Sequence, residues 1–75
     1  MNRVGEVVRT AQGLAILRAT GDDRPEIGLA VIDESLDPVG RVVDVFGPAE
    51  RPYVAVDPDG DVRLPGLLGQ VLYAR

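Results

Sequence analysis

Residues 39–56, VGRVVDVFGPAERPYVAV, decide the fold of this chain. They read as two β-strand runs, Val39–Phe46 and Tyr53–Asp57 just beyond, joined by a turn that carries two prolines and a glycine. Phe46 and Tyr53, two of the three aromatics in the chain, flank that turn. A half-buried strand alternates apolar and polar residues, with one face in the core and one in water. On strict alternation Val39, Val43 and Val45 fall on one side of the first run and Val42 and Phe46 on the other. Both faces are then apolar, and something must cover the second.

Outward from this segment, short β-prone runs recur between turn signals. Arg3–Thr10 comes first, and Gln12-Gly13 turns the chain into Gly13–Ala19. Thr20–Glu26, TGDDRPE, reads as a solvated loop. Ile27–Asp33 is the third run, and Asp37-Pro38 breaks the chain before Val39. After Tyr53–Asp57, the Asp59-Gly60 pair is a hairpin signal. A short run over Val62–Leu64, a Pro65-Gly66 turn and a last strand over Leu67–Tyr73 complete the chain. Nine glycines and six prolines argue against long helices. Six to seven short strands in one domain spanning residues 1–75 predict an all-β, small closed β-barrel, since closure removes exposed strand edges. Gly5, Gly28, Gly40 and Gly69 fall inside these runs, where tight curvature favours glycine. Val7, Ile16, Leu17, Leu29, Val31, Val71 and Leu72 are the expected core.

Composition narrows what such a barrel can do. Seventy-five residues is close to the size below which a single core needs help from a disulfide, a metal or a partner. Cysteine and histidine are both absent, which excludes disulfides and the usual zinc ligand sets and is compatible with a reducing cytoplasm. No basic start leads into an apolar stretch, and no apolar run approaches the ~20 residues of a membrane helix, so the expectation is a soluble chain with no secretory signal. Twelve acidic residues outnumber eight basic ones, all arginine, for a net charge of −4. An acidic, lysine-free surface fits a halophilic protein that holds water in concentrated salt, the reading the excess of carboxylates favours; a GC-rich genome that spells arginine in place of lysine is the plain alternative, and the two can both hold. The arginines are spread evenly along the chain and form no basic run, which disfavours tight direct binding of nucleic acid.

Catalytic chemistry has few groups available. There is no His, Cys or Lys to act as base or nucleophile, and Ser35 is the only serine. The adjacent carboxylates Asp22-Asp23 and Asp33-Glu34 read as solvated loop pairs rather than as an acid–base couple. The DPDGD run from Asp57 misses calcium-loop spacing, because its glycine falls at the fourth position and the twelfth is Leu68. No enzyme activity and no cofactor are expected. The aromatics point elsewhere: Tyr53, after Pro52 and with a polar tip, fits an interface anchor, while Phe46 fits either an interface or a core plug.

The string LDPVGRVVDVFGPAERPYVAV resembles the archaeal form of the GAR/NAF family, the small accessory subunit of H/ACA ribonucleoproteins. The residues that carry the resemblance are Val39, Gly40, Val42, Asp44, Val45, Phe46, Gly47, Pro48, Pro52 and Tyr53, preceded by Asp33 and Leu36. Ala49 stands where the family often has a larger aliphatic residue. The resemblance implies a six-stranded barrel similar to the second domain of elongation factor Tu. It implies a non-catalytic subunit that binds the catalytic domain of a pseudouridine synthase and aids substrate RNA loading and release in rRNA pseudouridylation. Guide and substrate RNA would be reached only through the complex, and no membrane is involved. The docking surface implied is Val42, Phe46, Gly47, Pro48, Pro52, Tyr53 and Val54. Two other readings stand beside this one. A PRC-barrel-like adaptor shares VGRVVDV-like runs but lacks the FGPxxxPY turn, and a direct RNA-binding β-barrel would bind RNA without the synthase.

Overall fold

The computed structural model describes residues 2–21 and 24–75; the Asp22-Asp23 pair lies outside the described residues. Six strands form one closed antiparallel barrel: β1 (Asn2–Ala11), β2 (Leu14–Ala19), β3 (Ala30–Ile32), β4 (Pro38–Phe46), β5 (Tyr53–Pro58) and β6 (Val71–Ala74). Their order around the barrel is β1-β2-β5-β4-β3-β6, with β6 bonded back to β1. Val4, Val7, Leu17, Val31, Val39, Val42, Val54, Val56 and Leu72 fill the interior, and Leu67 plugs it from a one-turn 3₁₀ helix, Leu64–Leu67. Branched side chains on short, strongly curved strands suit so narrow a core.

β1 and β2 meet in a two-residue turn in which Gln12 (φ 54°) and Gly13 (φ 79°) are both left-handed. This is the type I′ geometry that matches strand twist. Gly5 and Gly40 sit within β1 and β4, as expected. A Cβ on Gly5 would lie 2.9 Å from the carbonyl carbon of Arg18, and one on Gly40 would lie 2.9 Å from that of Asp57. No side chain fits between the crossing strands at these two points.

The strand β4 corrects the alternation expected of it. Val39, Val42 and Val45 all face the core, whereas Val43 is 42% exposed and Phe46 is half-buried outside. The cause is two extra residues. Val31 pairs with Gly40 and Ile32 with Pro38, leaving Val39 unpaired against β3; Val42 pairs with Val56 and Asp44 with Ala55, leaving Val43 unpaired against β5. Each bulge resets the alternation. Of the five apolar side chains on the two apparent faces, Val39, Val42 and Val45 are therefore turned to the core, and Val43 and Phe46 stay outside.

Three further expectations differ from the structure. Ile27–Leu29 is not strand: the Leu29 N–H donates to the Glu26 carbonyl at 3.1 Å, making a turn with Gly28 at φ +93°. Leu67–Gly69 likewise ends in a turn with Gly69 at φ +82°, so the last strand begins at Val71. These two glycines serve turns, not strand curvature. Asp59-Gly60 opens no hairpin either, because β5 lies between β2 and β4; the Val62 N–H donates to the Asp59 carbonyl at 3.0 Å, and Val62–Leu64 leads into the 3₁₀ helix. Among the expected core residues, Val7, Leu17, Val31 and Leu72 are in the interior and Leu29 packs against it. Ile16 is buried outside that cluster, and Val71 is half-buried.

The pairing pattern reveals an internal repeat. Val4-Gly5-Glu6-Val7-Val8-Arg9 in β1 matches Val39-Gly40-Arg41-Val42-Val43-Asp44 in β4, and each segment has its glycine against a neighbouring carbonyl. On β4, Gly28 N–H donates to the Val42 carbonyl (2.7 Å) and Val42 N–H to the Leu29 carbonyl (2.9 Å). On β1, Gly69 N–H donates to the Val7 carbonyl (2.9 Å) and Val7 N–H to the Gln70 carbonyl (2.9 Å). Both are bulges with a left-handed glycine at their first position. Exchanging β1, β2, β3 with β4, β5, β6 returns the same strand order, so the barrel is two three-strand halves related by a pseudo-two-fold axis.

Candidate docking surface

The two halves differ at their hairpin ends. In the first half the pair closing the turn is Ala11 and Leu14; in the second it is Phe46 and Tyr53. The rings of Phe46 and Tyr53 stack with centroids 5.6 Å apart and planes 23° apart. Offset stacking at this separation is favourable beyond the area it covers. Register places Arg18 of β2 opposite Tyr53. Its guanidinium carbon lies 4.8 Å from the Tyr53 ring centroid, and Nη1 donates a 3.0 Å hydrogen bond to the Tyr53 hydroxyl. Arg18 Nε is buried without a hydrogen-bond partner. A platform of two rings and a guanidinium thus runs across three strands on the outside of the barrel.

The connection between the rings is fixed from beneath. Gly47 has φ +89°, and a Cβ there would lie 3.0 Å from Tyr53 Cδ2. Glycine therefore serves twice, for the left-handed turn and for the room the ring needs. Arg51 N–H donates to the Pro48 carbonyl at 3.3 Å. Arg51 Nε donates to the Ala19 carbonyl at 3.0 Å, and Ala19 N–H donates to the Pro52 carbonyl at 2.9 Å. The six-residue loop is thereby tied to the end of β2.

Of the residues the sequence singled out, Gly47 and Pro48 are exposed and Phe46 and Tyr53 half-exposed, and all four are together. Val42 (1% exposed), Val54 (0%) and Pro52 are buried, so they support the surface and offer no contact of their own. Arg18 and Arg51 were missed. Register across β2 and β5 brings Arg18 to Tyr53 from 35 positions away, and no local motif marks it.

Elsewhere the polar groups have structural work. Asp33 Oδ1 accepts the backbone N–H groups of Ser35 (2.8 Å) and Asp37 (3.0 Å), shaping the β3–β4 turn. Asp44 Oδ1 accepts the N–H of Val45 at 2.9 Å. Among the described residues no group of three or more carboxylates is placed to hold a metal ion. An open cleft of about 540 Å³ lies beside Arg3, Thr20 and Arg24, separate from the aromatic pair. Among the described residues no helix is long and apolar enough to cross a membrane.

The class this geometry defines is a small closed six-stranded antiparallel β-barrel with one aromatic, loop-bearing end. Compared with protein-family models and with curated proteins, the chain matches none.

Proposed function

We propose that this chain is the non-catalytic accessory subunit of an H/ACA guide-RNA pseudouridine synthase complex. It docks on the catalytic subunit and aids substrate RNA loading and release in rRNA pseudouridylation, in the cytoplasm. The observation that carries this reading is the Phe46–Tyr53–Arg18 platform: its two rings, Phe46 and Tyr53, are among the residues that make the chain resemble the GAR/NAF family, and Arg18 completes it from β2. Phe46 and Tyr53 present rigid, partly exposed aromatic area, the kind of group that anchors protein interfaces. Gly47 and Pro48 give the partner close approach to the loop backbone. RNA is reached through the synthase, since the chain's net charge is −4 and its arginines are dispersed.

The test is a calorimetric titration of the barrel into the synthase. Tyr53→Ala should weaken binding by about 2 kcal/mol, the effect of losing a hot-spot aromatic. Leu14→Ala, at the equivalent place in the other half, should leave affinity unchanged. Equal affinities for wild type and Tyr53→Ala would remove the platform from the interface. Tight binding of guide RNA by the barrel alone at low salt would favour the direct RNA-binding reading instead.

A further inference from the structure

The two halves of the barrel are interlocked. β3 is bonded only to β4 and β6, and β6 only to β1 and β3, so each half lends its third strand wholly to the other. β2 and β5 also join the halves. Within a half, the strand pairs are β1–β2 and β4–β5. The covalent link between halves is the turn at residues 33–37, between β3 and β4. That turn is strained. Leu36 has φ 67°, a left-handed conformation unfavourable for a branched side chain, and it is 51% exposed. The opposing forces are the two N–H groups held by Asp33 Oδ1 and the bond from Leu36 N–H to the Asp33 carbonyl at 3.0 Å.

We propose that this chain takes a second copy of itself as partner, forming a strand-exchanged dimer by opening at this turn. With the turn extended, β3 of one copy runs on toward β4, and the first half of each chain closes a barrel with the second half of the other. Every strand pairing is kept; only the bonds inside the turn are lost, and the strain at Leu36 is released. Short, strained hinges favour such exchange, which needs no surface beyond the one already built inside the monomer. The aromatic platform survives because it too spans the halves, Arg18 coming from one and Phe46 and Tyr53 from the other. The exchanged dimer therefore presents two complete platforms, each assembled from both chains. This inference is independent of what the platform binds.

The chain has no cysteine, so an introduced pair reports exchange directly. Ile16 and Ala55 are partners across β2 and β5 and are 5% and 2% exposed, sealed from other molecules in a closed barrel. Full-length Ile16→Cys and Ala55→Cys chains are mixed, unfolded, refolded together at high concentration and oxidised. The expected product is a disulfide-linked heterodimer on a non-reducing gel, with dimer mass by light scattering. The same chains refolded separately and then mixed should give none. Removing Glu34, Ser35 and Leu36 leaves two non-glycine residues for the reversal and should make the dimer the main species, while Leu36→Gly should shift the population toward monomer. A shortened chain with native far-UV circular dichroism that stays monomeric overturns the proposal. So does a dimer whose cysteines do not link. Should the shortened chain fail to fold, the cysteine pair in the natural-length turn decides alone: linkage supports exchange, and its absence after co-refolding at high concentration refutes it.

Discussion

The β1–β2 and β4–β5 hairpins start from almost the same sequence and end differently. Both begin with Val-Gly, both cross a neighbouring strand at the glycine, and both carry a valine bulge followed by a charged residue. The first then closes in the two residues Gln12 and Gly13 with small or aliphatic flanks. The second opens into a six-residue loop between stacked aromatics and anchors that loop to β2 through Arg51. Where two halves of a fold share a constraint, the shared part belongs to folding. Where one half departs, the departure needs another cause, and here it coincides with the exposed aromatic surface.

The largest effect should come from what the halves share. Gly5→Ala and Gly40→Ala each drive a methyl group into a backbone carbonyl of the next strand, which has no flexible end to yield. Overpacking against a rigid backbone should cost about 3 kcal/mol at either site. Urea unfolding would measure both. A cost at Gly40 far above that at Gly5 would break the equivalence of the two crossings.

A smaller effect should separate the two hairpin ends. Gly13 and Gly47 both have positive φ, but a Cβ at Gly13 meets nothing within 4 Å, whereas one at Gly47 meets the Tyr53 ring. Gly13→Ala should therefore cost about 1 kcal/mol, the left-handed penalty alone. Gly47→Ala should cost about 2 kcal/mol, because displacement of the ring adds to the same penalty. Near-UV circular dichroism gives the sharper readout, since only Gly47→Ala should alter the tyrosine signal.

The same comparison explains what could be read from the residues in order. Gln12-Gly13 declared its turn because the type I′ geometry is local, and recurrent short strands between glycines and prolines declared a barrel. The inward set Val39, Val42, Val45 was not legible, since bulges arise when strands of a closed barrel are forced into register with two neighbours at once. Gly28 and Gly69 looked like strand glycines for a related reason: the bulges they open depend on Val42 and Val7, which lie far away along the chain. Phe46 and Tyr53 were visible as flanks of a Gly-Pro turn, but Arg18 between Tyr53 and the first half was not. Val42 and Pro52 belong to the motif because they hold its shape, Val54 next to it is buried as well, and a motif does not distinguish support from contact.

The smallest effects concern two turns that, among the described residues, carry a left-handed residue other than glycine. Gln12 occupies the first centre of a type I′ turn, where asparagine is better suited, so Gln12→Asn should stabilise by about 0.3 kcal/mol. Leu36 has no such polar group to bond its own backbone, and its side chain is exposed, so nothing in the packing rewards its strain. Leu36→Gly removes a left-handed penalty of about 1–2 kcal/mol and adds unfolded-chain entropy of up to about 1 kcal/mol, for a net gain of about 0.5 kcal/mol. Thermal unfolding of the two variants side by side checks the ordering. If Leu36→Gly instead loses stability, then Leu36 is held by a contact that offsets its strain, and the β3–β4 turn is as firmly made as the β1–β2 turn it is compared with.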